Sequence, residues 1–142
     1  MWTFVQSNGQ LLNSTATLVG IGYAGNGAGK NNPAMQNVHN VGPLPVGIYG
    51  VGAPVNHTHL GPNAIPLIPD PANEMFGRSE FYCHAERIQP PPGLASDGCI
   101  VMEPESVRMW LAASGEKLQV ISGLPLADAE QVESLFDTGH ST

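Results

Sequence analysis

His84 and Cys99 lie fifteen positions apart in the sequence (99 − 84). His84 closes the segment FYCH (81–84), and Cys99 stands within ASDGCIV (95–101). An imidazole that takes a proton from a thiol creates a thiolate, the form of cysteine that attacks a carbonyl carbon. Ser96-Asp97-Gly98 forms a turn just before the cysteine. Backbone N–H groups of such a turn can point at a developing oxyanion. FYCH alternates, so Phe81 and Cys83 should face one way and Tyr82 and His84 the other. If FYCH and CIVM are neighbours in one sheet, His84 and Cys99 converge at their ends. The same residues have a plainer reading, because free cysteines often act as small buried hydrophobes. The pattern alone leaves both readings of Cys99 open. Cys83 is expected in the core. A Cys83–Cys99 disulfide is a third option, and it would remove the nucleophile.

Other candidates carry less. His57 and His59 share a face if HTHL is extended, and His39 could join them as metal ligands. No Cys or acidic residue stands near them in the sequence to complete a set, so they read as solvated loop histidines. GNGAGK (25–30) lacks the first glycine and the Ser or Thr of a phosphate loop, with Ala24 and Asn31 in those places. The acidic residues are scattered, with no paired-carboxylate site. No metal and no cofactor is expected.

The elements that must position His84 and Cys99 can be read from periodicity and punctuation. WTFVQSNGQLLN alternates around Asn8-Gly9, which predicts a β-hairpin with a type I′ turn. ATLVGIGYAG predicts a third strand whose glycines permit close backbone approach. A long glycine- and asparagine-rich loop follows, and loops of that length are usually functional. VGIYGVG (46–52) predicts a strand. Residues 53–73 hold five prolines and resist regular assignment. SEFYCHAE (79–86) and CIVM (99–102) predict strands. Pro104 and Glu105 suit a first helical turn, with Val107, Trp110 and Leu111 on one buried face and Gly115 as the stop. KLQVIS (117–122) predicts a strand. Asp128 and Gln131 resemble a capping box for a terminal helix bearing Val132, Leu135 and Phe136. The expectation is a single, mostly-β domain spanning 1–142, with one or two short helices.

Bulk numbers narrow the function classes. The chain has 142 residues, enough to bury a core without staples. Its formal charge is −7, and only five residues are Lys or Arg. No basic cluster exists, so neither nucleic acid nor an anionic membrane is an expected partner. No apolar run approaches the roughly 18 residues that span a bilayer. MWTFVQSNGQ has neither the basic start nor the apolar core of a signal peptide. The expected location is the cytoplasm, or outside it by a route without a cleaved signal.

With these residues in view, the order His…Ser-x-Gly-Cys followed by a strand resembles the signature of YkuD-type L,D-transpeptidases. More closely, the chain resembles the type VI secretion L,D-transpeptidase effectors, first catalogued as a domain of unknown function. Four blocks carry the likeness in order: GYAGNGAGKNNP (22–33), GPLPVGIYGV (42–51), GRSEFYCHAE (77–86) and ASDGCIVM (95–102). They cover about residues 20–121. Two departures separate it from conventional members. Asp97 replaces a histidine before the Gly-Cys pair, and Val101 and Met102 stand where an arginine usually follows.

The resemblance implies a YkuD-like β-sandwich or barrel and a cysteine enzyme acting on tetrapeptide stems of peptidoglycan. Cys99 would be the nucleophile and His84 its base, with a backbone carbonyl holding the other imidazole nitrogen. Ser96 and Gly98 match the Ser-x-Gly-Cys motif, while Tyr23 and Gly25 match a Tyr-x-Gly block expected to line the cleft. The N–H groups of Gly98 and Cys99, helped by the Tyr23 hydroxyl, would hold the oxyanion. D-Alanine would leave a thioester, resolved by water as an L,D-carboxypeptidase or by a D-amino acid in exchange. The implied partners are the type VI secretion machinery and a periplasmic immunity protein. The chain would rest in the producer's cytoplasm and act in the periplasm of a target cell. The alternative is a catalytically silent β-rich module that binds wall peptide or a partner protein.

Overall fold

A computed structural model describes residues 1–88 and 92–123. Trp2–Val5 (β1) and Gln10–Leu12 (β2) form the expected antiparallel hairpin, with Phe4 opposite Leu11. Its turn differs from type I′, which needs positive φ at both central residues. Only Gly9 has it (φ +73), and its N–H donates to the Val5 carbonyl at 2.8 Å across a four-residue loop. The reason is that Gln6 and Ser7 continue beside the last strand, donating to the Ile121 and Ser122 carbonyls at 2.8 and 3.1 Å. The chain therefore cannot reverse earlier.

Leu18–Ile21 (β3), Tyr23–Ala24 (β4), Gly47–Val51 (β5), Val55–His57 (β6), Gly61–Pro69 (β7), Phe81–His84 (β8), Ile100–Val101 (β9) and Leu118–Ile121 (β10) complete a ten-stranded sheet. Glu105–Ala113 (α1) is the one α-helix among the described residues. The sheet order is β3-β2-β1-β10-β5-β7-β8-β9-β4, with β6 paired to β7 outside this path. Its two edges, β3 and β4, are separated in the chain by Gly22 alone. Gly22 donates to the Gly9 carbonyl in the β1–β2 turn at 2.8 Å, and a Cβ there would overlap the Val101 carbonyl of β9, so it joins the two ends of the sheet. Close approach at this glycine makes a nearly closed, barrel-shaped sheet. The protein is mostly β, as the sequence leads one to expect.

The core fills the inside of this sheet. Phe4, Leu11, Tyr49, Ile65, Ile100 and Leu118 are fully buried. Each such side chain contributes roughly 1.5–3 kcal/mol relative to exposure. The helix closes part of the barrel through Val107 and Leu111.

Two expectations need correction. Residues 53–73 are not irregular, since β7 is the longest strand and contains Pro62, Pro66 and Pro69. Pro66 still accepts the Gly52 N–H at 2.9 Å, beyond the end of β5, where its missing donor breaks no ladder. Trp110 is not buried but 56% exposed. Arg108 turns inward instead and donates to the Met102 carbonyl at 2.7 Å and to Glu103 at 2.9 Å. The long glycine-rich loop holds two short 3-10 turns, Gly27–Gly29 and Pro33–Met35. The expected helix around 128–136 lies outside the described residues.

Candidate active site

Strands β8 and β9 run parallel and adjacent, with Cys83 beside Ile100 and His84 beside Val101. This register puts Tyr82 beside Cys99. Side chains alternate along each strand, so Cys99, Tyr82 and His84 share one face, while Cys83 and Ile100 share the other. Cys83 is wholly buried in the core, as expected, and both cysteines are free. Cys99 and His84 are diagonal neighbours, whose backbones lie roughly 7–8 Å apart in such a pairing. Both line one cavity of about 590 Å³, together with Asp97, Glu80, Tyr82 and His57.

The imidazole is oriented by the backbone. His84 Nδ1 lies 2.8 Å from the Ala85 carbonyl, which accepts, so Nδ1 carries the proton. Nε2 is buried and has no partner among the described residues. It is therefore a buried lone-pair acceptor on a residue that lines the cavity. Burial holds the His84 pKa below the ordinary histidine value, even though the Ala85 carbonyl favours the charged form. The ring is neutral at neutral pH, the state a general base needs.

The thiol faces a different set of partners. Cys99 Sγ accepts the Tyr82 N–H at 3.3 Å and lies 3.8 Å from the Glu80 carbonyl. Burial pushes its pKa up to about 11, and the Asp97 carboxylate adds to the rise. The Tyr82 N–H and the Arg78 charge pull the other way. The resting pair is thus a neutral thiol and a neutral imidazole.

The turn carrying Cys99 is fastened from behind. Ser96 Oγ accepts the Gly25 N–H at 2.8 Å and the Gly98 N–H at 2.9 Å, and donates to the Cys99 carbonyl at 2.6 Å. The Asn26 amide donates to the Ser96 carbonyl at 2.8 Å, and Leu44 N–H to the Gly98 carbonyl at 2.9 Å. This differs from the expected oxyanion hole, because the Gly98 N–H is already spent on Ser96. Tyr23 and Gly25 also do not line the cavity. The Tyr23 hydroxyl donates to Glu86 at 2.8 Å and accepts the Ala95 N–H at 3.1 Å. Ser96, Gly25 and Tyr23 fasten the turn that carries Cys99 and do not line the cavity.

Arg78, which sequence reasoning passed over, is the central fastening. It is 6% exposed and has no carboxylate partner among the described residues. Its guanidinium donates to four carbonyls: Gln36 at 2.6 Å, Pro43 at 2.8 Å, Gly42 at 2.9 Å and Asp97 at 3.1 Å. It also lies 5.2 Å from the Phe81 ring centre. Gly98 has φ +138, and a Cβ there would collide with this guanidinium. The glycine of the Ser-x-Gly-Cys turn therefore makes room for Arg78. His39 and His59 are exposed, as expected of solvated histidines, while His57 is half-buried at the end of β6, and all three line the same cavity. Among the described residues, no three His, Cys, Asp or Glu side chains are grouped to hold a metal ion. Asp97 lines the cavity but does not touch Nδ1 of His84, whose partner is Ala85.

Buried titrating groups set a testable pH profile. The folded His84 pKa lies below its ordinary 6.5, so beneath that pH the unfolded chain binds a proton the fold resists. Stability is therefore lost as pH falls below about 6.5. Burial pushes the Cys83 thiol from 9.0 to about 12, so above pH 9 the unfolded chain ionises first and stability falls again. Tyr23, raised from 10.0 to about 12 chiefly by burial, extends the loss. Urea unfolding should show a plateau between these limits. On the alkaline side it should lose about 1.4 kcal/mol per pH unit from Cys83 alone. Stability that keeps rising above pH 9 would contradict the buried thiol.

The family model of the Tlde1 domain, a type VI secretion effector domain, matches residues 20–123. No curated protein and no solved structure matches the chain.

Proposed function

Because the chain belongs to the Tlde1 domain family of type VI secretion effectors, we propose that it is a cysteine acyl-transfer enzyme acting on peptidoglycan stem peptides. The observation that carries this reading is one cavity holding Cys99 and a backbone-oriented His84 whose Nε2 is free. A cavity of about 590 Å³ suits a short peptide. His84 Nε2 takes the Cys99 proton as the sulfur attacks the carbonyl of the residue before the terminal D-alanine. The carbon–nitrogen bond breaks, and His84 returns the proton to the departing amine. Water then resolves the thioester as an L,D-carboxypeptidase, and a free D-amino acid resolves it by exchange. Removal of tetrapeptides deprives the wall of cross-linking donors.

The reading includes a place of action. The chain is harmless in the producer's cytoplasm, travels through the type VI machinery and works in the target periplasm. A periplasmic immunity protein covering the cleft would protect siblings. Expression in the cytoplasm of a Gram-negative host should be tolerated, while fusion to an export signal should give swollen or misshapen dying cells. Cys99→Ala should remove that toxicity. Equal toxicity from the cytoplasmic form, or killing by the exported variant, would point to a target other than wall peptide. The neutral, turned-away thiol is the observation that favours a silent binding module instead. Such a module would bind muropeptides without changing their mass.

A further inference from the structure

The cavity contains a second imidazole in the opposite tautomer. His57 ends β6, and its Nδ1 accepts two backbone N–H groups, from His59 at 3.1 Å and Leu60 at 3.2 Å. A nitrogen that accepts cannot carry the proton, so the proton of the neutral ring sits on Nε2. His84 is fixed the other way, with the proton on Nδ1 and the lone pair on Nε2. One ring is built to receive a proton and the other to donate a hydrogen bond.

Placement fits a shared task. His57 lines the same cavity as Cys99 and His84. Its Nδ1 edge is occupied by its own hairpin turn, so the Nε2 edge is the one left for the cavity. The ring stands edge-on to Tyr82, with centroids 5.0 Å apart. Tyr82 is the residue whose N–H donates to Cys99 Sγ. Of the three donors expected to hold an oxyanion, the Gly98 N–H and the Tyr23 hydroxyl are engaged elsewhere, so only the Cys99 N–H remains of that set.

We propose that His57 is a catalytic residue whose Nε2–H holds the oxyanion formed when Cys99 attacks. This rests on the acyl-transfer reading of the cavity. The sulfur electron pair forms the C–S bond, its proton passes to His84 Nε2, and the carbonyl π pair moves onto oxygen. That oxygen accepts from His57 Nε2–H. Collapse restores the carbonyl, breaks the bond to the leaving group and returns the His84 proton to it. His57 keeps its own proton throughout.

Two reagents separate this role from a structural one. p-Nitrophenyl acetate acylates a thiol through an oxyanion, whereas iodoacetamide alkylates it without one. His57→Phe should slow acetylation of Cys99, followed by intact mass, about 10²-fold or more. Alkylation of Cys99 should stay within about twofold of wild type, because no oxyanion forms. His57→Gln, which can present an N–H near the Nε2 position, should recover much of the acetylation rate. Thermal midpoints of both variants establish that they are folded. Equal acetylation in His57→Phe, acetylation and alkylation slowed alike, or no acetylation of wild type would each overturn the proposal. Muropeptides run alongside test the substrate separately. A wild type that ignores them, yet shows the His57-dependent acetylation, sinks the wall-peptide reading and supports the role of His57.

Discussion

If Cys99 is the nucleophile as proposed, Cys99→Ala should lower D-alanine release from tetrapeptide muropeptides by about 10⁴-fold or more, since it removes the attacking sulfur. His84→Asn should cost about 10²–10⁴-fold. Asparagine keeps a donor for the Ala85 carbonyl while removing the base, so this loss reports on chemistry and not on the fold. The double variant should be no worse than Cys99→Ala, because the two act as a unit. Cys99→Ser retaining even a tenth of wild-type turnover would remove Cys99 from the role of nucleophile. The neutral resting thiol adds a second expectation. Iodoacetamide should modify Cys99 slowly at neutral pH and faster toward its raised pKa of about 11.

Arg78→Met should be the most damaging change away from the reacting atoms. It would leave four carbonyls from three separate segments without their donor. Unsatisfied buried acceptors cost about 1–3 kcal/mol each, so the expected loss is about 4 kcal/mol or more, a large part of the stability of a small domain. Arg78→Lys keeps the charge but cannot present a planar fork to the same carbonyls, and should fall between. Because Arg78 ties the Asp97 carbonyl to the Gly42-Pro43 turn, turnover should drop in both variants even where they remain folded. Urea unfolding read beside turnover checks this. A loss below about 1 kcal/mol for Arg78→Met would mean that water replaces the guanidinium freely.

Much of the frame is legible in the sequence, and the residues say why. Alternation marks β1, β2 and β8, and the Pro104-Glu105 start and Gly115 stop mark α1. That FYCH and CIVM are neighbours can only be supposed from the sequence, and their parallel direction is visible only in the sheet. Strand β7 hides behind its prolines, since only the sheet order shows that Pro66 meets no broken ladder. Trp110 misleads because helical spacing cannot distinguish the centre of a buried stripe from its flank, and Arg108 fills the inward place. Arg78 is hidden for another reason. Its partners are backbone carbonyls, and carbonyls carry no sequence signature. Its one visible cue is a lone cation, among five Lys and Arg in the chain, just before the FYCH strand. The tautomers of His57 and His84 depend on loop conformation and cannot be read from residue order. Tyr23 and Gly25 show how a motif can mark a site without lining it, because both act through Ser96 and Ala95.

The central claim is that Cys99 forms a thioester with a wall tetrapeptide. Purified tetrapeptide muropeptides incubated with the wild-type protein, quenched in acid and weighed by mass spectrometry, test it most directly. The account predicts muropeptides lighter by one D-alanine residue, with the matching acyl group on the protein mapped to Cys99 and absent from Cys99→Ala. Unchanged muropeptides and an unmodified Cys99, from a sample whose fold is intact, would contradict it.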